Sequence, residues 1–256
     1  MSGWKVFKHS FGLVVRNFWK AVQIFAVPWL LALVAGGLTI FVLGLPADFY
    51  ALESGYGDFP IGKTILGGLI GIAVLVFTSI WVAIAWHRFI LLEEHPTGFI
   101  PPLKKDRMIG YFVRGLLLTL IFLIPSLLIG IIVGFVAALQ SPGPIIVVGA
   151  ISVVVFFALI IVSYRLSIVL PAEAIGNRLS FSQAFNATHG ATKDLIVILL
   201  CFVGLSVAIE TVGLMFTFFP LLDLVYVVAT TAFTSMLNIS ILTTLYGIYI
   251  ENREIN

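Results

Sequence analysis

The sequence predicts an all-α, polytopic membrane protein with six transmembrane helices and both termini on the cytoplasmic side. Three observations carry this. The 256 residues are 61% hydrophobic and only 10% charged, with a mean hydropathy of +1.16, well outside the composition of soluble globular domains. Six apolar segments, at about 21–45, 64–92, 115–139, 143–170, 195–219 and 222–250, each exceed the roughly 20 residues needed to cross a hydrocarbon core of about 30 Å. Threading the chain back and forth through them leaves thirteen of the fourteen Lys and Arg residues on one side, with only Lys63 opposite. By the positive-inside rule that asymmetry sets an N-in, C-in orientation, and it checks the helix count, because losing one span would scatter the charges. The chain reads as a single transmembrane domain over 1–256.

Residues 4–20 precede the first span as an interfacial amphipathic helix. At 100° per residue Trp4, Phe7, Phe11, Val14, Val15 and Phe18 share one arc, and Lys5, His9, Arg16 and Lys20 another. Such a helix is expected to lie in the headgroup layer. The first span is too long for the apolar core of a cleavable signal, and no convincing small-residue cleavage site follows it. The segment 46–63, with Asp48, Glu53 and Asp58, is the only sizeable outer loop expected. The second span carries Gly67-x-x-x-Gly71 and the third Gly130-x-x-x-Gly134; small residues at this spacing let helices approach closely, and packing within the bundle is the expected use. After Pro101-Pro102, residues 103–114 form a second basic segment read as interfacial. Gln140-Ser141-Pro142-Gly143-Pro144 and Phe219-Pro220 read as tight turns. Ser180-Phe181-Ser182-Gln183 reads as a capping box that opens a third in-plane helix, with Gly190 as its stop. Three units, each an in-plane segment feeding a helical hairpin, then suggest a threefold repeat.

Glu210 is the only charged residue deep within a span, and an ionisable group at membrane depth is by default a functional candidate. Counting down from the outer turn puts Thr230, Thr231 and Thr234 of the sixth span near its depth, with Asn238 beyond. One reading is a protonated carboxyl hydrogen-bonded to those hydroxyls; the other is a proton or cation site. The sixth span also carries Ser235, Ser240, Thr243 and Thr244, which interhelical hydrogen bonding would explain, as would a hydrated path. His87, Glu93, Glu94 and His95 are the one His/carboxylate cluster, at a spacing that matches no metal motif. Cys201, the single cysteine, has no basic neighbour to activate it. No phosphate loop, nucleophile elbow or dinucleotide fingerprint is present, so no cofactor, metal or catalytic residue is expected.

The second and fourth spans exit through related motifs, Trp86-His87-Arg88-Phe89-Ile90-Leu91-Leu92-Glu93 and a stretch from Arg165 to Leu170-Pro171-Ala172-x-Ala174-Ile175-Gly176, followed by the Ser-rich segment to Gly190. With these motifs the chain resembles functionally uncharacterised bacterial six-helix inner-membrane proteins akin to the membrane domain of glycerophosphodiester phosphodiesterases. The resemblance implies architecture, not hydrolysis, since the chain has neither room for the soluble phosphodiesterase nor its His/carboxylate pattern.

The expectation is a non-enzymatic, multi-pass protein of the bacterial inner (cytoplasmic) membrane. It would organise lipid or a membrane protein complex through its basic and aromatic leaflet-facing elements. Trp4, Phe7, Phe11, Arg16, Lys20, Trp86, His87, Arg88 and Arg165 are the candidate lipid or partner contacts. Membrane lipids, with another membrane protein as a further candidate, are the expected partners; nucleic acid is not. The alternative is a small transporter or lipid flippase using Glu210 and the polar sixth span.

Overall fold

The computed structural model describes residues 2–45, 61–96, 98, 100–138 and 142–255; Asp48, Glu53, Asp58 and part of the turn expected at 140–144 lie outside them. The secondary structure of the described residues is helical throughout: α1 (Gly3–Arg16), α2 (Phe18–Leu43), α3 (Ile61–Leu92), α4 (Lys105–Ala138), α5 (Pro142–Ser167), α6 (Val169–Ile175), α7 (Phe181–Ala187), α8 (Thr192–Gly213) and α9 (Pro220–Tyr249). Six of them, α2 to α5 with α8 and α9, are long and apolar enough to cross a membrane. This is a multi-span helical membrane protein. The 30 residues of α9 at 1.5 Å each give about 45 Å, the thickness of a bilayer with its headgroups.

The spans form three hairpins, α2/α3, α4/α5 and α8/α9. The first two pack along each other extensively, whereas α8 and α9 touch sparingly. Among the described residues the middle hairpin has no separate helix ahead of its first span. Residues 105–114 are continuous with the span, and Arg114 is bound to Glu173 at 2.8 Å, so this stretch is fastened to α6 rather than laid along an interface. Gly110 makes the approach feasible, because a Cβ there would meet the Glu173 carboxylate. The capping box at Ser180 is formed on both sides, with Gln183 N–H to Ser180 Oγ at 3.1 Å and Ser180 N–H to Gln183 Oε1 at 2.8 Å.

Packing is concentrated at the end of the bundle that holds the basic residues. There α6 is wedged among α3, α4 and α9, burying Val169, Pro171, Ala172 and Ala174. It ends at Gly176, whose φ of +88° and closeness to the Arg107 guanidinium leave room only for glycine. Arg88 Nη1–H donates to the Ala174 carbonyl at 3.0 Å, and Asn177 donates to Tyr246 Oη at 2.9 Å. Toward the far end few residues are buried, and in the most apolar stretch of α5 none is. Gly67 meets Leu43 and Leu45 beside α2, but Gly71, Gly130 and Gly134 face open space. The second glycine pair therefore serves no contact within the described chain, contrary to the packing expected of it.

α1 buries Gly3, Val6, Phe7, Ser10 and Val14, the i, i+3, i+4, i+7, i+11 face of a helix, against α8 and α9. Gly3 rests on the Asp194 backbone so closely that a Cβ would overlap it. Ser10 Oγ lies 2.9 Å from both the Val6 carbonyl and Thr244 Oγ1. The carbonyl can only accept, so Ser10 donates to it and Thr244 donates to Ser10. α1 thus acts as a spacer that holds α8 away from α9 at the basic end.

Candidate intramembrane polar groove

The polar residues of α9 fall into two sets. Ser240, Thr243 and Thr244 are buried and each meets a partner from another helix. Trp86 Nε1–H donates to Ser240 Oγ at 2.8 Å. His87 Nδ1 lies 2.8 Å from Thr243 Oγ1, and Thr243 gives its proton to the Ile239 carbonyl. His87 must therefore donate from Nδ1, which leaves Nε2 to accept from Tyr111 Oη–H at 3.3 Å. The network assigns His87 as the neutral Nδ1–H tautomer.

The other set lines an open groove. Glu210, Ser206, Ile209 and Phe202 of α8 face Thr230, Thr231, Thr234, Ser235 and Asn238 of α9 around a space of about 260 Å³. Its far-end continuation, about 210 Å³, adds Thr217, Asp223 and Tyr226. The gap follows from how α8 and α9 are held. At the far end Tyr226 Oη–H donates to the Ile209 carbonyl at 2.7 Å and the Tyr226 ring stacks on Phe216 at 4.9 Å. At the basic end α1 keeps the helices apart, with Phe11 edge-on to Phe233 at 5.5 Å. Between these two props lies the groove.

Asp223, Thr230, Thr234 and Asn238 fall at i, i+7, i+11 and i+15, one face of α9. Asp223 to Asn238 is about 22 Å along the helix, most of a hydrocarbon core. Tyr164 Oη extends the track at 3.4 Å from Asn238 Oδ1. Glu210, Thr231 and Asn238 are exposed, so the groove opens sideways to the surroundings of the bundle. By helix rise, Glu210 stands level with Thr230, about 15 Å from the far tip of α9.

The structure brings together Glu210, Thr230, Thr231, Thr234 and Asn238, the five residues of the expected intramembrane polar site, around one groove. The expected hydrogen bonds between them are not formed. Thr230 and Thr234 donate to the Tyr226 and Thr230 carbonyls of their own helix, each at 2.8 Å, and the Glu210 carboxylate has no hydrogen-bond or ion-pair partner among the described residues. Asp223, Tyr226, Thr217 and Ser206 join the site unforeseen; the signal for Asp223 was its place on the same helical face as Thr230 and Thr234.

The candidate lipid or partner contacts divide by placement. Trp4, at 55% exposure, Phe11 and Arg16 face outward, and Lys20 is half-buried with its Nζ donating to Gln23 at 3.2 Å. Phe7, Trp86 and His87 are buried in the protein, a correction to their expected place at the leaflet. Interfacial preference fixes the level of a residue along a helix, not which side of the helix it occupies. Arg88 is held by Ala174 and, at 2.6 Å, by Glu94. Arg165 donates to Thr188 Oγ1 and the Phe185 carbonyl at 3.1 and 2.6 Å and stacks on the Phe185 ring at 3.6 Å. Both arginines thus fasten the fold internally.

The His/carboxylate cluster of the sequence is dispersed. His87 points inward, His95 packs edge-on to Phe89, and Glu94 bridges Arg88 and Lys104, the latter at 2.5 Å. Among the described residues no group of three or more His, Cys, Asp or Glu side chains gathers. Partial burial pushes the Glu94 carboxyl up, but hydrogen bonds and charge from Lys104 and Arg88 outweigh it, leaving its pKa below the ordinary 4.5. A further groove of about 530 Å³ lies between α3 and α4, lined by Ile72, Val76, Phe77, Ile80 and Met108 among other apolar side chains. With no polar group to orient a ligand, it has the character of any lipid-facing cleft.

No family model matches the chain, and no curated protein or solved structure matches it. The six-span helical architecture rests on the structure itself, and the likeness to the phosphodiesterase membrane domains rests on the two exit motifs and the Ser-rich segment alone.

Proposed function

We propose that the protein is a non-enzymatic translocation module, a small transporter or lipid flippase, in which the α8/α9 groove carries a polar group through the apolar layer. The observation that supports this best is the unpartnered Glu210 at the centre of a continuous polar face that is open to the side. A carboxylate facing hydrocarbon costs several kcal/mol, roughly 3 on insertion scales, and a water-bearing groove removes that cost. The lateral opening favours a lipid, whose headgroup enters the groove while its acyl chains stay in the bilayer. The basic end faces the cytoplasm by the positive-inside rule, and the protein works in the bacterial inner membrane with membrane lipids as its partners. The test is reconstitution in liposomes carrying a headgroup-labelled lipid, followed by quenching from outside. The wild type is expected to expose inner-leaflet label. Glu210→Gln and Thr234→Val should slow exposure at least tenfold, about 1.4 kcal/mol in barrier. Unchanged rates in both variants would sink the reading.

A second reading is a module that organises lipid or a membrane protein complex through α1. It is favoured by the exposed Trp4, Phe11 and Val15 beside Lys5, Lys8 and Arg16. Reversing the charges of Lys5, Lys8 and Arg16 should then release co-purifying lipid or partner without altering label exposure.

A further inference from the structure

We infer that the far section of the groove is a binding site for an ammonium group, carried by an aminophospholipid headgroup or by a free alkylammonium ion. The inference names the substrate class of the proposed translocation groove and rests on that reading. The cavity there is about 210 Å³, roughly seven times the ~30 Å³ share of one water, which is room for an ammonium group with its carbon substituents.

The chemistry of the lining selects charge and hydrogen-bond polarity together. Glu210 and Asp223 supply two carboxylates, and no Lys, Arg or His lines the cavity. Neither carboxylate is bound to another described side chain. Of the four hydroxyls that line the cavity, Thr231 has no acceptor among the described residues and the other three have committed their protons: Thr217 donates to the Leu214 carbonyl at 2.9 Å, Thr230 to Tyr226 at 2.8 Å and Tyr226 Oη to Ile209 at 2.7 Å. What these groups offer the cavity is lone pairs. The wall is therefore rich in acceptors and negatively charged, and the Tyr226 ring adds an aromatic surface of the kind that attracts ammonium ions. A phosphate or carboxylate would meet like charge and find few donors. An ammonium group, with positive charge and N–H or polarised C–H donors, matches each feature. In a phospholipid the phosphate would then lie outside this section.

The test is native mass spectrometry of the full chain released from nanodiscs of phosphatidylglycerol and phosphatidylethanolamine in equal parts. The wild type is expected to retain the ethanolamine lipid over the glycerol lipid by about tenfold, and the Glu210→Gln/Asp223→Asn double variant to retain both equally. Thr230→Val keeps both carboxylates and removes one acceptor; it serves if the double variant does not assemble, with an expected loss of roughly threefold in preference. A second arm titrates ethylammonium chloride, against potassium chloride, into protein in pure phosphatidylglycerol nanodiscs and follows the unfolding temperature. Stabilisation by ethylammonium marks a soluble amine as a source, and retention of the ethanolamine lipid marks the headgroup; either supports the site. Equal retention by the wild type with no ethylammonium effect overturns it, as does a preference unchanged in the variants. Amine preference without lipid movement leaves the site standing and removes the translocation reading, and lipid movement without amine preference does the reverse.

Discussion

The two halves of α9 carry polar residues at similar density and put them to opposite use. In the basic half, Ser240, Thr243 and Thr244 are closed off by Trp86, His87 and Ser10. In the far half, Thr230, Thr231 and Thr234, with Asn238 just past the midpoint, line a groove that no other described helix fills. Lipid solvates apolar helix faces as well as another helix does, so apolar surface alone does not draw spans together. Helices close where specific polar partners or small residues meet, and they stay apart where a spacer such as α1 intervenes. The lesson is that closure in this bundle is local, decided by which residue has a partner on the neighbouring helix.

The largest expected effect comes from breaking the closed half. Trp86→Ala removes a fully buried ring and the partner of Ser240, and should lower stability by roughly 3–5 kcal/mol in a denaturant titration of the detergent-solubilised protein. Next is Gly3→Leu, which sets a side chain against the Asp194 backbone. It should cost about 1–3 kcal/mol and unseat α1, read as faster proteolysis of the N-terminal 16 residues.

A smaller effect is expected at the Arg88–Glu94–Lys104 bridge. The folded pKa of Glu94 is lowered, so its contribution is complete above 4.5 and is lost as the pH falls through the lower folded value. Hydrogen exchange of residues 93–96 and 103–105 should accelerate below that point by the equivalent of at most about 1 kcal/mol. Glu94→Gln should flatten the dependence. Least of all, Thr234→Val in the open half should move stability by no more than about 0.5 kcal/mol while still slowing label exposure. A large stability loss there would show that the far half is packed after all and erase the contrast.

The six spans were legible because a bilayer demands length and apolarity of every crossing segment, but not all their ends were: α4 begins at Lys105 rather than near 115 and α8 ends at Gly213 rather than near 219. The shared depth of Glu210 with Thr230, Thr231 and Thr234 was legible too, since antiparallel helices of known rise joined by a short turn fix relative height. What the sequence left open was the direction each side chain faces about its helix axis. All-round apolar spans leave little amphipathic signal, which is why Trp86 and His87 were expected at the lipid and lie inside. Leu170 to Gly176 read only as part of the motif at the exit of the fourth span, yet residues 169–175 form the separate helix α6. Its signal was Pro171 near the start and Gly176 just past the end.

The hydrogen bond from Thr244 to Ser10 joins residues 234 positions apart, and this has a bearing on biogenesis. α1 has its seat on α8 and α9, which are made long after it. At about 5–20 residues per second, α1 waits on the order of ten to fifty seconds before Thr244 exists. Through that interval Val6 and Phe7 need other cover, and the headgroup layer beside the translocon suits a helix with Lys5, Lys8 and Arg16 around them. That layer is then a temporary mooring for α1 until α8 and α9 follow.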